Sequence, residues 1–127
     1  MAEGFPDCKL MEGSKMSELD KLEKYLKERG IKYERIDKDL VYDPSGSIKD
    51  LGRHQINVLD ETGYRLWDAI CQYGSYGYER GLLEIYGVLV NEEKDGDCVV
   101  GWLTAEDVIK RIEEYEIVQS VKKAFTE

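Results

Sequence analysis

The chain's apolar positions switch between two periods, and the switches divide it into elements. From Ser17 to Gly30, Leu19, Leu22 and Leu26 recur three and four residues apart with Tyr25 beside them, the stripe of an amphipathic helix. Ser17 stands at the N-cap, Asp20 three residues on makes a variant capping box, and Gly30 is placed to end the helix in a left-handed turn. Residues 31–37 then alternate, Ile31, Tyr33 and Arg35 against Lys32, Glu34 and Ile36, which predicts a short strand. Residues 38–52 contain the turn signal Asp43-Pro44-Ser45-Gly46 and predict a long loop, with a little strand at Leu40, Val41 and Tyr42.

The clearest alternation is in residues 53–71. Two runs, 53–59 and 64–71, flank Asp60-Glu61-Thr62-Gly63, a four-residue connection suited to a β-hairpin. Pairing Leu59 with Tyr64 sets Ile56 opposite Trp67 and His54 opposite Ala69. One face then carries His54, Ile56, Val58, Trp67, Ala69 and Cys71. The other carries Gln55, Asn57, Leu59, Tyr64, Leu66, Asp68 and Ile70. The first face is the drier and is expected on the core.

Beyond the hairpin, Leu82, Leu83, Tyr86, Leu89 and Val90 recur with helical spacing, so residues 82–90 are expected as a helix. Gly81 and Gly87 weaken that expectation, and a strand through Leu83, Ile85 and Val88–Val90 is the alternative. Residues 91–97 read as a charged turn and residues 98–103, CVVGWL, as a short strand. Thr104 caps a final helix with Val108, Ile109 and Ile112 on its buried stripe, and residues 117–127 either continue this helix or fray. The order predicts an α+β domain: a small, mainly antiparallel sheet with a central β-hairpin at 53–71, covered on one face by two or three helices. Trp67 and Trp102 are expected as core anchors.

At 127 residues and 42% hydrophobic, the chain has material for one domain, expected over residues 16–127. Residues 1–15 show no period and are expected as a disordered or loosely docked leader. Glu12-Gly13-Ser14-Lys15 can be encoded by a purine-rich string like a bacterial ribosome-binding site, which makes Met16 a candidate natural start. No run reaches the length of a membrane span and no signal peptide is visible. Three widely spaced cysteines, Cys8, Cys71 and Cys98, form no disulfide framework, so a soluble cytoplasmic protein with reduced thiols is expected.

Charge narrows the choice of partner. The net charge is −9, and residues 79–116 alone hold 11 acids against 4 bases. Nucleic acid and anionic membrane are therefore disfavoured partners, while a protein with a basic surface is favoured. A surface kept acidic only for solubility is the plainer explanation.

Candidate chemistry centres on residues 73–87, YGSYGYERGLLEIYG, with glycine at 74, 77, 81 and 87 and tyrosine at 73, 76, 78 and 86. A phosphate loop would run from a strand through glycines into a helix. This segment lacks Gly-Lys-Ser/Thr and does not keep the dinucleotide spacing. Tyrosine interleaved with small residues fits a recognition surface better, because it joins rigid amphipathic area to adaptable backbone. A structural role competes: Gly74 and Gly77 take positive φ and the tyrosines pack on the sheet edge. The candidate contact residues are Arg53, Gln55 and Asp68 on the hairpin, Ser75, Tyr76 and Tyr78 on the loop, and Glu84 facing it.

His54, the one histidine, shares a face with Cys71, as a thiol nucleophile and its base would. Asp68 points to the opposite face and cannot orient that histidine. One histidine and three scattered cysteines make no metal set, and Asp95-Gly96-Asp97 is too short for a calcium loop. No cofactor and no catalytic residue is assigned.

Several pieces together resemble small uncharacterised proteins of gut Firmicutes and of their phages and mobile elements. These are Arg53-His54-Gln55, Trp67-Asp68-Ala69-Ile70, Gly74-Ser75-Tyr76-Gly77, Gly81-Leu82-Leu83-Glu84 and residues 101–107, GWLTAED. The resemblance spans about residues 17–116 and brings no known activity. It implies a small accessory protein of mobile or prophage DNA. The leading expectation is a non-catalytic protein-binding module, including an inhibitor of a host or defence protein. The alternative is a small ligand- or nucleotide-binding domain or enzyme with its pocket at the Gly/Tyr loop, 74–81. A homodimer joined through the tyrosine loop is a third possibility.

Overall fold

The computed structural model describes residues 16–126, and the leader expected over residues 1–15 lies outside them. Helix α1 (Glu18–Arg29) begins as its sequence dictates. The Ser17 hydroxyl accepts the Asp20 N–H, the Asp20 carboxylate accepts the Ser17 N–H, and Gly30 closes the helix at φ 68°. Strands β1 (Tyr33–Lys38), β2 (Val41–Tyr42), β3 (Ile48–Asp50), β4 (Arg53–Leu59) and β5 (Arg65–Ile70) follow. A 3-10 turn at Tyr78–Arg80 leads into β6 (Leu83–Gly87), a short helix α2 (Glu92–Asp95), β7 (Val99–Leu103) and the long helix α3 (Ala105–Thr126). The main sheet is antiparallel in the order β1-β4-β5-β6-β7, and β2 and β3 form a separate two-stranded ribbon.

One face of the sheet meets α1 and α3, which makes the chain an α+β domain with its helices on one side. Leu22 and Leu26 of α1, Ile56 of β4, Leu83 and Ile85 of β6 and Val108 of α3 are fully buried there. Each such side chain contributes roughly 1.5–3 kcal/mol of burial. Polar ties hold the helices in place. Arg35 of β1 pairs with Asp20 at 2.8 Å and Glu23 at 2.9 Å on α1. Glu18 accepts the Ala105 N–H at the start of α3, and Arg29 grips Glu116 farther along it. Arg111 of α3 donates to the Leu89 carbonyl and pairs with Asp95, locking α2 against the helix.

The hairpin's core face is the expected one, but its register is not. Ile56 pairs with Ala69 and Val58 with Trp67, two residues away from the expected pairing. Asp60 explains the slip. Its carboxylate accepts the N–H groups of Thr62 and Tyr64, drawing Tyr64 into the turn, so that Leu59 meets Arg65 across a bulge. A two-residue slip preserves which side chains face inward.

Residues 82–90 do not form the expected helix. Leu83 and Ile85 are buried while Glu84 and Tyr86 point away, the period of strand β6. Gly81 at φ 70° and Gly87 at φ 114° interrupt any helical path. The charged turn at 91–97 contains α2, capped by the Asn91 side chain. The loop at 38–52 holds the β2–β3 ribbon. Trp67 is buried as expected, but Trp102 is not a core anchor: it is 59% exposed.

Candidate functional site

The site is built on the sheet face that the helices leave uncovered. Cross-strand neighbours bring Glu34, Asn57, Asp68 and Tyr86 into one row, and Ile36, Gln55, Ile70 and Glu84 into the next. The polar members form a continuous network. Arg53 Nε donates to Gln55 Oε1 (2.7 Å), and Gln55 Nε2 donates to both Asn57 Oδ1 (2.7 Å) and Asp68 Oδ2 (3.0 Å). Asn57 Nδ2 donates to Glu34 (3.1 Å), and Arg65 reaches Asn57 and Asp68 at 3.3 Å each. Gln55 and Asn57 are buried beneath these neighbours, which is tolerable because their polar groups are bonded.

Burial pushes the Asp68 carboxyl above its ordinary range, and the charge of Glu84 pushes the same way against Arg65 and Arg53. The folded chain therefore holds this proton more tightly than the unfolded chain, and ionised Asp68 opposes folding at neutral pH. Its contribution improves as pH falls through the raised value toward 3.8. Asp37 has the opposite sign, because its His54 hydrogen bond and then Arg35 hold its carboxyl down, so that its contribution is lost in acid. Asp68→Asn removes the charge while keeping an acceptor for Gln55. Urea titrations at about pH 4 and about pH 7 should show the variant gaining on wild type at the higher pH. An equal difference at both values would contradict this assignment.

The Gly/Tyr loop joins this face through Glu84, whose Oε1 accepts the Tyr76 N–H at 2.9 Å. The Tyr76 ring then stacks on Trp102, with centroids 5.2 Å apart and planes 19° from parallel. The Tyr76 carbonyl accepts the Trp102 N–H at 3.2 Å. Trp102 sits at φ 57°, in the left-handed region, and is the one non-glycine residue with positive φ among the described residues. A bulge accompanies it: Leu83 pairs with Leu103 and Ile85 with Val100, which leaves one extra residue on β7. That extra residue turns the indole into solvent and returns Leu103 to the core side.

Arg53, Gln55, Asp68, Glu84 and Tyr76 thus come together on or beside the uncovered face. Ser75 and Tyr78 do not share it. The Ser75 hydroxyl is buried in its own turn, donating to the Gln72 carbonyl and accepting the Gln72 N–H. Tyr78 packs edge-on against Tyr73. Gly74 and Gly77 take positive φ, at 91° and 98°. Asn57, Arg65 and Tyr86 were not among the expected contacts, although the alternation that points Gln55 and Asp68 outward covers Asn57 too. Nothing in the sequence alone marks Trp102.

His54 and Cys71 share the opposite face, but the ring nitrogens of His54 are occupied. Nδ1 lies 2.9 Å from Asp37 and Nε2 lies 3.2 Å from Asp39. Burial and the charge of Glu18 push the Cys71 thiol up, away from the thiolate a nucleophile needs. Iodoacetamide should modify Cys71 slowly and equally in folded wild type and His54→Ala. A fast rate that depends on His54 would reinstate the pair. Among the described residues, no group of three or more His, Cys, Asp or Glu side chains is placed to hold a metal ion. No helix among them is long and apolar enough to cross a membrane.

Comparison with protein-family models, with curated proteins and with solved structures gave no match.

Proposed function

We propose that this protein is a non-catalytic binding module that docks a partner protein on its uncovered sheet face, with Trp102 and Tyr76 as the anchor. The observation that carries this reading is the conformation of Trp102. A bulky residue held at φ 57° and 59% exposed strains the backbone without filling the core. At protein interfaces a few residues carry most of the binding energy, and tryptophan and tyrosine are enriched among them. The partner surface we propose is basic. A lysine or arginine over the indole gains a cation–π contact, with the carboxylates of Glu84 and Asp68 on the same face and a net charge of −9 steering the encounter. The same charge argues against nucleic acid. An accessory of phage or mobile DNA that inhibits a host or defence protein is the setting we propose, on the strength of the sequence resemblance alone.

The alternative, a ligand pocket at 74–81, has less support. That loop is closed by its own hydrogen bonds, and a groove of about 1170 Å³ lies elsewhere, along α3.

The test is capture from host lysate with the full-length chain as bait beside Trp102→Ala, both shown to be folded by circular dichroism. A protein retained by the first and lost by the second supports the reading. Capture indifferent to Trp102, or none from either bait, contradicts it.

A further inference from the structure

Helix α3 is longer than the body it packs on. Ala105, Val108 and Ile112 are buried, but every residue from Ile117 to Phe125 is exposed. This stretch carries an apolar stripe, Ile117, Val118, Val121 and Phe125, with Phe125 87% exposed. An isolated extension of that length is marginally helical in water. Beside the stripe runs a groove of about 1170 Å³ between α3 and the segment after β6, with Val88, Leu89, Tyr115 and Val118 among its lining residues. The groove and the stripe meet at Val118 and form one continuous surface.

We infer that this surface pairs with the same surface of a second copy, α3 crossing α3 antiparallel about a two-fold axis near Val118. The surface is self-complementary. Glu114 lies four residues before Val118 and Lys122 four residues after it, so an antiparallel crossing sets each glutamate level with the lysine of the other copy. Tyr115 and Val121, three residues to either side, likewise meet as an apolar pair. Phe125 and Arg111, seven to either side, place the most exposed aromatic at the far end of the other copy's groove. There the Arg111 guanidinium, fixed by Asp95 and the Leu89 carbonyl, offers it a cation. One occupant thus accounts for the groove, the exposed Val118, Val121 and Phe125, and the charges, and the contact closes on itself as a two-fold interface must. A partner of unrelated sequence would have to match each of these separately. This face lies on α3 and the segment after β6 and does not include Trp102, so the inference stands independently of the proposed function.

Sedimentation equilibrium of the full-length chain tests it. Wild type should reach a dimer mass, twice 14.7 kDa, with rising concentration. Glu114→Lys and Lys122→Glu should each weaken dimerisation about tenfold or more, and the double swap should restore it, because the pairing is reciprocal. Val118→Asp, at an exposed site, should give a folded monomer by circular dichroism. A wild-type chain that stays monomeric at millimolar concentration would leave the face to another occupant and overturn the inference. A dimer that none of these substitutions weakens would place the interface elsewhere, at the tyrosine loop for instance, and would overturn it equally.

Discussion

Gly87→Ala is expected to destabilise the protein by about 3–5 kcal/mol, a large part of what holds a domain of this size together. Gly87 closes β6 at φ 114° directly over β5. A Cβ added there would lie 2.5 Å from the Leu66 carbonyl oxygen and 2.7 Å from Trp67 Cα. Both neighbours are backbone, so no side chain can swing aside. Relief requires β5 and β6 to separate, which breaks the bond from the Val88 N–H to the Leu66 carbonyl and lifts Trp67 from the core. Gly30→Ala is the control: φ is again positive, at 68°, but nothing lies within 4 Å of the added carbon. Strain alone should cost that variant about 1–2 kcal/mol. Urea denaturation of both variants checks the expectation, and equal losses would refute the close β5–β6 approach.

Gly101→Ala should cost about 1–3 kcal/mol and act mainly on the candidate site. Its φ is unremarkable, so the whole effect comes from contact. The new carbon would lie 2.2 Å from Tyr76 Cβ and 2.9 Å from the Tyr76 carbonyl oxygen. The Gly/Tyr loop must then withdraw from β7, breaking both the Trp102–Tyr76 stack and the hydrogen bond between their backbones. Acrylamide should quench Trp102 more strongly in this variant while Trp67, 4% exposed, stays protected. Stability and quenching both unchanged from wild type would mean that the loop does not rest on β7.

The sequence and the fold agree wherever a single period governs an element. Alternation in β4 and β5 identified the core face even though the Asp60 turn moved the register, since a two-residue slip leaves side-chain direction unchanged. The caps of α1 and α3 were legible because they lie within a few residues of the groups they satisfy. β6 was not legible: Leu83 and Ile85 fit a strand, but with Leu82, Tyr86 and Leu89 they also fit a helix. The positive φ at Gly81 and Gly87 decides between them. Trp102 is the instructive case. Strict alternation from Val100 places it on the core, and it is turned outward by a bulge seated against Tyr76, far away in sequence. Half of the candidate site, Arg53, Gln55 and Asp68, followed from hairpin phasing. Tyr76 followed from the composition of its loop, but its stacking partner Trp102 depends on a tertiary contact that no local pattern encodes.

The claim that the uncovered sheet face is the recognition surface is tested most directly by one affinity comparison. The dissociation constant of the captured partner would be measured for wild type and for Trp102→Ala with its fold intact. Loss of an anchoring aromatic should weaken binding by about 30-fold or more, the equivalent of about 2 kcal/mol. Constants for the two proteins within about threefold of each other would show that the partner binds elsewhere, and would contradict the account.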